Sequence, residues 1–138
     1  MVTVNYVHEF NYRDFREGRS PVLQLQVSHA DHSENKIDVD AYLDSGSERS
    51  LFNGFLITSL GIMLINDKIR RYTPTAGNSI EAYFHYVQLS LPGVGDFNLE
   101  IGFSSSTIMR NLLGRDFFNF AQIGFRENHL KYYLTPTP

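Results

Sequence analysis

The residues with the greatest capacity for chemistry stand together at Ala41-Tyr42-Leu43-Asp44-Ser45-Gly46-Ser47. An apolar run enters an acid, and the acid is followed by a hydroxyl residue, a glycine and a second hydroxyl residue. A carboxylate that takes part in a reaction has to be rigid and partly withdrawn from water, with donors holding it there. The glycine permits a tight turn that aims its own N–H and the nearby hydroxyls back at the acid. Such a turn presents Asp44 rather than hiding it. The same letters also fit an Asx-type turn at the end of a strand, which needs no chemistry. Extended to Ser50 they spell Asp-Ser-Gly-x-x-Ser, a phosphorylated degradation signal in some regulatory proteins. That use needs an exposed, flexible segment, whereas here an apolar strand precedes the motif and an apolar helix is expected after it.

Other reactive groups form no comparable cluster. His29 and His32, with Asp31 and Glu34, can be assembled on paper into ligands. A metal needs convergent geometry, and three-residue spacing in a polar turn reads as solvated surface, so no metal is assigned. His8, His85 and His129 are isolated and have no nucleophile-elbow context. The chain has 0 Cys, which removes thiol catalysis, thiolate metal sites and disulfides together.

The elements that must position Asp44 read mostly as strands. Val2, Val4 and Tyr6 alternate with polar neighbours, as do Val22, Leu23, Leu25 and Val27, so both stretches are expected as half-buried strands, with a charged loop from His8 to Ser20 between them. The polar turn His29–Asn35 joins Gln24–Ser28 to a strand around Ile37–Leu43 as a hairpin. Leu51, Phe55, Leu56 and Leu60 fall near a 3.6-residue period, which predicts a helix over Ser50–Leu60 stopped by Gly61. Lys68–Glu81 has Pro74 and Gly77 at its middle and predicts a hairpin tip leading into the alternating strand Ala82, Phe84, Tyr86, Gln88. Leu91-Pro92-Gly93-Val94-Gly95 turns the chain into Phe97, Leu99, Ile101 and Phe103. A buried strand over Ile108–Leu113, a short helix over Arg115–Phe120 and a closing hairpin of Ile123–Phe125 with Leu130–Leu134 complete the order. The 8 Tyr and 11 Phe, with 0 Trp, suit a β-sheet core, and Phe84, Phe97, Phe103, Phe117 and Phe125 are expected in it.

At 138 residues the chain suffices for one domain with a proper core. Its net charge of −3 argues against a nucleic-acid or anionic-membrane partner, since both need a basic footprint. Leu51–Ile65 is interrupted by Asn53, Thr58 and Ser59 and is too short to span a bilayer. Met1–Phe10 holds His8 and Glu9 where a signal peptide needs an unbroken apolar run, so a cytoplasmic location is expected.

With that order in hand, Asp44-Ser45-Gly46-Ser47 resembles the Asp-Thr/Ser-Gly-Ala/Ser signature of the aspartic peptidases. Asn111-Leu112-Leu113-Gly114-Arg115-Asp116-Phe117-Phe118 resembles the second signature of their retropepsin-like branch, two apolar residues and a glycine opening a short helix. The resemblance runs from Pro21 to Leu134. It implies a mainly β fold, a closed β-barrel lobe of the retropepsin-like (acid protease) type with one or two short helices, in a single domain 1–138 whose residues 1–20 have no assigned role.

The chemistry implied by the resemblance is peptide hydrolysis by two carboxylates that share one proton, because like charges ~3 Å apart cannot both ionise. The chain has one Asp-Ser-Gly, so the resemblance implies a homodimer with Asp44 of each copy at the two-fold axis, and inactive monomers. By the same analogy Ser45 bonds across that axis and Gly46 supplies the turn and an N–H. A Ser47 hydroxyl beside the dyad favours its charged form and implies an acidic activity optimum. Glu48 and Arg115 take the places of an acid and a base that pair behind the loop. The hairpin tip from Thr73 to Ser79, with Thr75, Ala76, Gly77 and Asn78 at its centre, corresponds to a flap over an extended peptide, whose pockets would include Leu43, Ile108 and Leu112. No cofactor is implied. The alternative is a catalytically silent retropepsin-fold module that dimerises or binds peptides without cleaving them.

Overall fold

The structure, a computed structural model, describes residues 1–15, 18–63, 69–72 and 79–138. The expected hairpin forms first in sequence: β4 (Val22–His29) pairs antiparallel with β5 (Lys36–Leu43), Val22 opposite Tyr42 and Ser28 opposite Lys36. His29 N donates to Asn35 O at 2.9 Å and closes its turn. Three-residue β6 (Leu51–Asn53) and the short helix α1 (Leu56–Leu60) follow, and the N–H of Gly61, in the left-handed region at φ 68°, caps the helix on Ile57 O and Thr58 O. An outer strand β7 (Ile69–Tyr72) leads towards β8 (Ile80–Leu91), which pairs from Ala82 to Leu91 with the whole of β9 (Gly95–Ser104). Then come β10 (Asn111–Leu113) and α2 (Arg115–Phe118).

These strands close on themselves. Their order is β4-β5-β10-β6-β9-β8, and β8 pairs back onto β4 from His29↔Val87 to Gln26↔Ser90, giving a six-stranded barrel with β7 as a flange on β8. Leu23, Leu25, Val27, Leu43, Val87, Leu89, Ile101, Phe103 and Leu113 fill it. Closure removes the exposed edges that an open sheet of this length would carry.

A second sheet seals one end. β11 (Ala121–Arg126) and β12 (Lys131–Pro136) form a hairpin through a 3₁₀ turn at Glu127–His129, and β1 (His8–Asn11) pairs with the other side of β12. The Tyr132 hydroxyl donates to Val22 O at 3.1 Å and pins this sheet to the barrel. β2 (Arg13–Phe15) and β3 (Gly18–Ser20) make a small separate ribbon.

Several expectations are corrected. Met1–Tyr6 forms no strand despite its alternation, while the charged segment after it contains β1, β2 and β3. Charges are tolerated there because one face of each strand meets water. The first half of the helix expected over Ser50–Leu60 is β6, whose three residues are all buried between β10 and β9. A strand covered on both faces does not alternate, so chance helical spacing was the stronger signal. Strand β10 is confined to Asn111–Leu113 and α2 stops at Phe118. The burial of β8 changes phase, inward at Ala82 and Phe84, then at Val87, Leu89 and Leu91, so Tyr86 is exposed. Phe84, Phe97, Phe103 and Phe117 are in the core, but Phe125 is 42% exposed on β11. No helix among the described residues is long and apolar enough to cross a membrane.

Candidate functional site

Asp44 follows β5 directly. β10 runs parallel to β5 with Leu112 beside Tyr42 and Leu113 beside Leu43, and the ladder extends one step further because Asp44 N donates to Leu113 O at 2.9 Å. The carboxylate is held by the turn it begins: Gly46 N donates to Asp44 Oδ1 at 2.9 Å, and Ser47 N to Asp44 O at 3.2 Å. Asp44 is half-buried, whereas Ser45 and Gly46 are exposed at the tip of the loop. A carboxylate in this position is fixed by a backbone donor, with the turn closed on its own main chain, and is still open to a ligand.

Ser47 is buried, and its hydroxyl donates to Arg49 O at 2.7 Å. Its proton serves the loop's own backbone. The second segment locks onto that loop at three consecutive residues. Gly114 N donates to Ser50 Oγ at 3.0 Å, Arg115 N to Ser47 O at 2.8 Å and Asp116 N to Glu48 O at 3.2 Å. The approach depends on Gly114, since a Cβ at that position would stand 2.6 Å from Ser47 O and 2.8 Å from Arg49 O. Leu113 is fully buried beneath this junction and Leu112 is half-buried beside Leu51.

Glu48 and Arg115 do meet, Oε1 to Nη2 at 3.2 Å, but with side chains 75% and 56% exposed. An exposed pair contributes ~0–1 kcal/mol. The stronger brace is one that the sequence did not reveal. Fully buried Ser50 donates its N–H to Asp116 Oδ2 at 2.9 Å and its hydroxyl to Asp116 Oδ1 at 2.6 Å, and Phe117 N donates to the same Oδ1 at 2.8 Å. Charge-assisted bonds of this kind are about twice as strong as neutral ones. The signal was the acid immediately after Leu112-Leu113-Gly114-Arg115. No Ser/Thr-Gly follows it, so nothing in its local sequence marks it as a site residue.

Of the expected pocket residues, Leu43 is 2% exposed and belongs to the barrel core, so it cannot line a groove. Ile108 is half-buried and packs on the small apolar cluster Leu51, Ala82 and Phe84. The flap residues Thr75, Ala76, Gly77 and Asn78 lie outside the described residues, while β7 and β8 flank them. A cavity of about 750 Å³ opens between the β4–β5 hairpin and the Leu91–Gly95 turn, lined by Leu25, Val39, Leu91 and Val94, and none of the site residues borders it.

No protein-family model and no curated protein matches the sequence. Solved structures do match. A retropepsin-like aspartic protease from Rickettsia conorii superposes with a TM-score of 0.65 at 16% identity, over 96% of this chain and 97% of that one. The EIAV protease complexed with the inhibitor HBY-793 superposes with a TM-score of 0.51 at 17% identity, over 78% of this chain and 92% of that one. The chain has the retropepsin-like fold.

Proposed function

We propose that the protein is an aspartic endopeptidase in which the Asp44 carboxylates of two copies activate one water between them. The observation that carries this is the Asp44 loop itself: a half-buried carboxylate at a strand end, held by Gly46 N and locked to Gly114, in a fold shared with aspartic proteases. One ionised carboxylate takes a proton from the water, and the protonated one polarises the scissile carbonyl of an extended peptide. A monomer supplies half of this pair, so activity belongs to a homodimer. Ser45, at the exposed tip, is the residue that meets the partner loop.

The terminal sheet limits how copies can join. β12 already carries β1 on one side and β11 on the other, so a partner strand adds only at the outer edge of β1 or β11. The β11 edge is favoured. α2 opens on the N–H that binds Ser47 O and runs almost directly into β11, so an axis along this edge lies next to the Asp44 loop.

Digestion of a peptide library at several pH values by wild type and Asp44→Asn, with sedimentation in parallel, tests the proposal. A dyad that shares one proton works only while one carboxylate is ionised and the other protonated, so wild type is expected to cleave best at acidic pH as a dimer, and Asp44→Asn to lose at least about a thousandfold of that activity, the scale of losing a catalytic group. Cleavage that survives Asp44→Asn would sink the assignment, and a strictly monomeric species that cleaves would sink the shared dyad.

A further inference from the structure

We infer that Glu100 is a positioning residue of this site: its carboxylate ties the β7–β8 ribbon to the Asp44 loop by accepting Arg70 from the one and Arg49 from the other. The inference rests on the function proposed above. Arg49 Nη2 and Arg70 Nη1 both donate to Glu100 Oε1, at 3.0 Å and 3.2 Å. The Glu100 side chain is only 17% exposed, so its charge is weakly screened by water. The two guanidinium groups also lie 4.7 Å and 5.2 Å from the ring centre of Phe84, and that ring is 2% exposed. Two like charges stay this close because a desolvated carboxylate and an aromatic face accept both.

The two arginines come from elements that share no backbone ladder, and Glu100 stands on β9 between them, paired with β8 on one side and bonded through Gly102 N to Ser50 O at 3.1 Å on the other. Arg49 belongs to the loop that follows Asp44, its carbonyl holds Ser47 Oγ, and its Nε stands 4.0 Å from Asp116 Oδ2, within the brace that locks that loop. Arg70 lies on the outer strand β7, opposite Ala82 of β8, whereas Glu100 is on β9, opposite Tyr86. Arg70 therefore reaches past Phe84 and Gly102. A Cβ at Gly102 would stand 2.8 Å from the Phe84 ring, so the glycine gives that ring its place under both guanidinium groups. Among the described residues β7 has four and pairs with β8 alone. A strand of that length on a single neighbour is marginal, and a side-chain tie across two strands sets where it lies.

A neighbouring pair serves as an internal control. Arg71 and Glu81, opposite each other on β7 and β8, approach to 3.2 Å with side chains 70% and 49% exposed. That pair joins two strands already joined by their backbones, and it reaches nothing near Asp44. The Asp44 carboxylate takes its hydrogen bond from Gly46 N, independently of Glu100. Loss of Glu100 should therefore weaken the hold on a peptide and leave the chemical step alone.

The test is steady-state kinetics on the best library peptide for Glu100→Gln, Glu100→Asp, Arg70→Gln, Arg71→Gln and the double variant Arg70→Gln/Glu100→Gln. Glu100→Gln and Arg70→Gln are each expected to raise KM about threefold to tenfold with kcat little changed, and the double variant to be no worse than either, as coupled groups behave. Glu100→Asp should restore part of the loss, and Arg71→Gln should resemble wild type. Independent, multiplying effects, a fall in kcat at constant KM, or an equal effect of Arg71→Gln would overturn the inference. Amide hydrogen exchange in 80–84 is read in parallel and needs no turnover: faster exchange in Glu100→Gln and Arg70→Gln, but not in Arg71→Gln, supports the tie. Unchanged exchange overturns it. A wild type that cleaves nothing removes the peptidase proposal while leaving the exchange result to judge the tie.

Discussion

Ser50 joins the two halves of the candidate site through a single oxygen. Its hydroxyl accepts from Gly114 N and donates to Asp116, and the residue has no exposed surface. Ser50→Ala leaves a buried N–H and a carboxylate oxygen short of partners, at a cost of about 1–3 kcal/mol. Thermal unfolding should show a drop of ~2–4 °C per kcal/mol for a chain of this size, and an unchanged midpoint would show that water replaces the hydroxyl. Asp44, Ser45 and Gly46 were legible because their order alone describes a turn that presents an acid. Ser50 and Asp116 were not, since their partnership spans 66 positions and only the fold brings them together. Ser47 was legible as a hydroxyl near the acid, but its direction, towards Arg49 O, is a property of the loop's path.

Among the elements, the terminal sheet carries the most distinctive electrostatics. Tyr12, 2% exposed at the end of β1, donates its N–H to Leu130 O and its hydroxyl to Glu127 Oε1 at 3.1 Å. Burial, with the Glu127 carboxylate beside it, pushes the Tyr12 phenol up to about 12. Burial also raises Tyr132, whose ring lies 6.3 Å from that of Tyr12. An unfolded chain releases these protons near the ordinary tyrosine value, so the folded chain binds them more tightly. The stability Tyr12 contributes is complete below pH 10 and is lost as the pH climbs through about 12, and that of Tyr132 is lost at higher pH still. Denaturant midpoints measured from pH 9 upward should fall more steeply for wild type than for Tyr12→Phe, and parallel curves would refute the assignment. The closing hairpin itself was legible from Glu127-Asn128 between two apolar runs. The strand β1 was not, because it is placed by pairing with β12 near the other end of the sequence rather than by any pattern of its own.

At the scale of the whole molecule, the proposed homodimer requires a surface on which two copies meet. Phe125, exposed on the outer strand β11, stands on the edge proposed for the partner. Phe125→Lys should raise the dimer dissociation constant about tenfold or more by placing a charge where apolar surface is buried, with the monomer's thermal midpoint little altered. Sedimentation across a concentration series measures this, and an unchanged constant would direct attention to the outer edge of β1. The sequence of strands, loop and second segment around Asp44 was readable because each has a local signal. Barrel closure through β4 and β8 was not, since Val27 beside Leu89 is a pairing between two strands that each already have a hairpin partner.

The pairing of β1 with β12 sets His8 against Leu134, bringing the two ends of the folded region within one strand spacing, ~4.8 Å. Chain order is consequently separable from architecture. A short linker could join those ends, and the chain could be opened at the exposed turn around Gly93, where a Cβ would meet nothing within 4 Å. The same barrel, loop and brace would then be written in a different order along the gene.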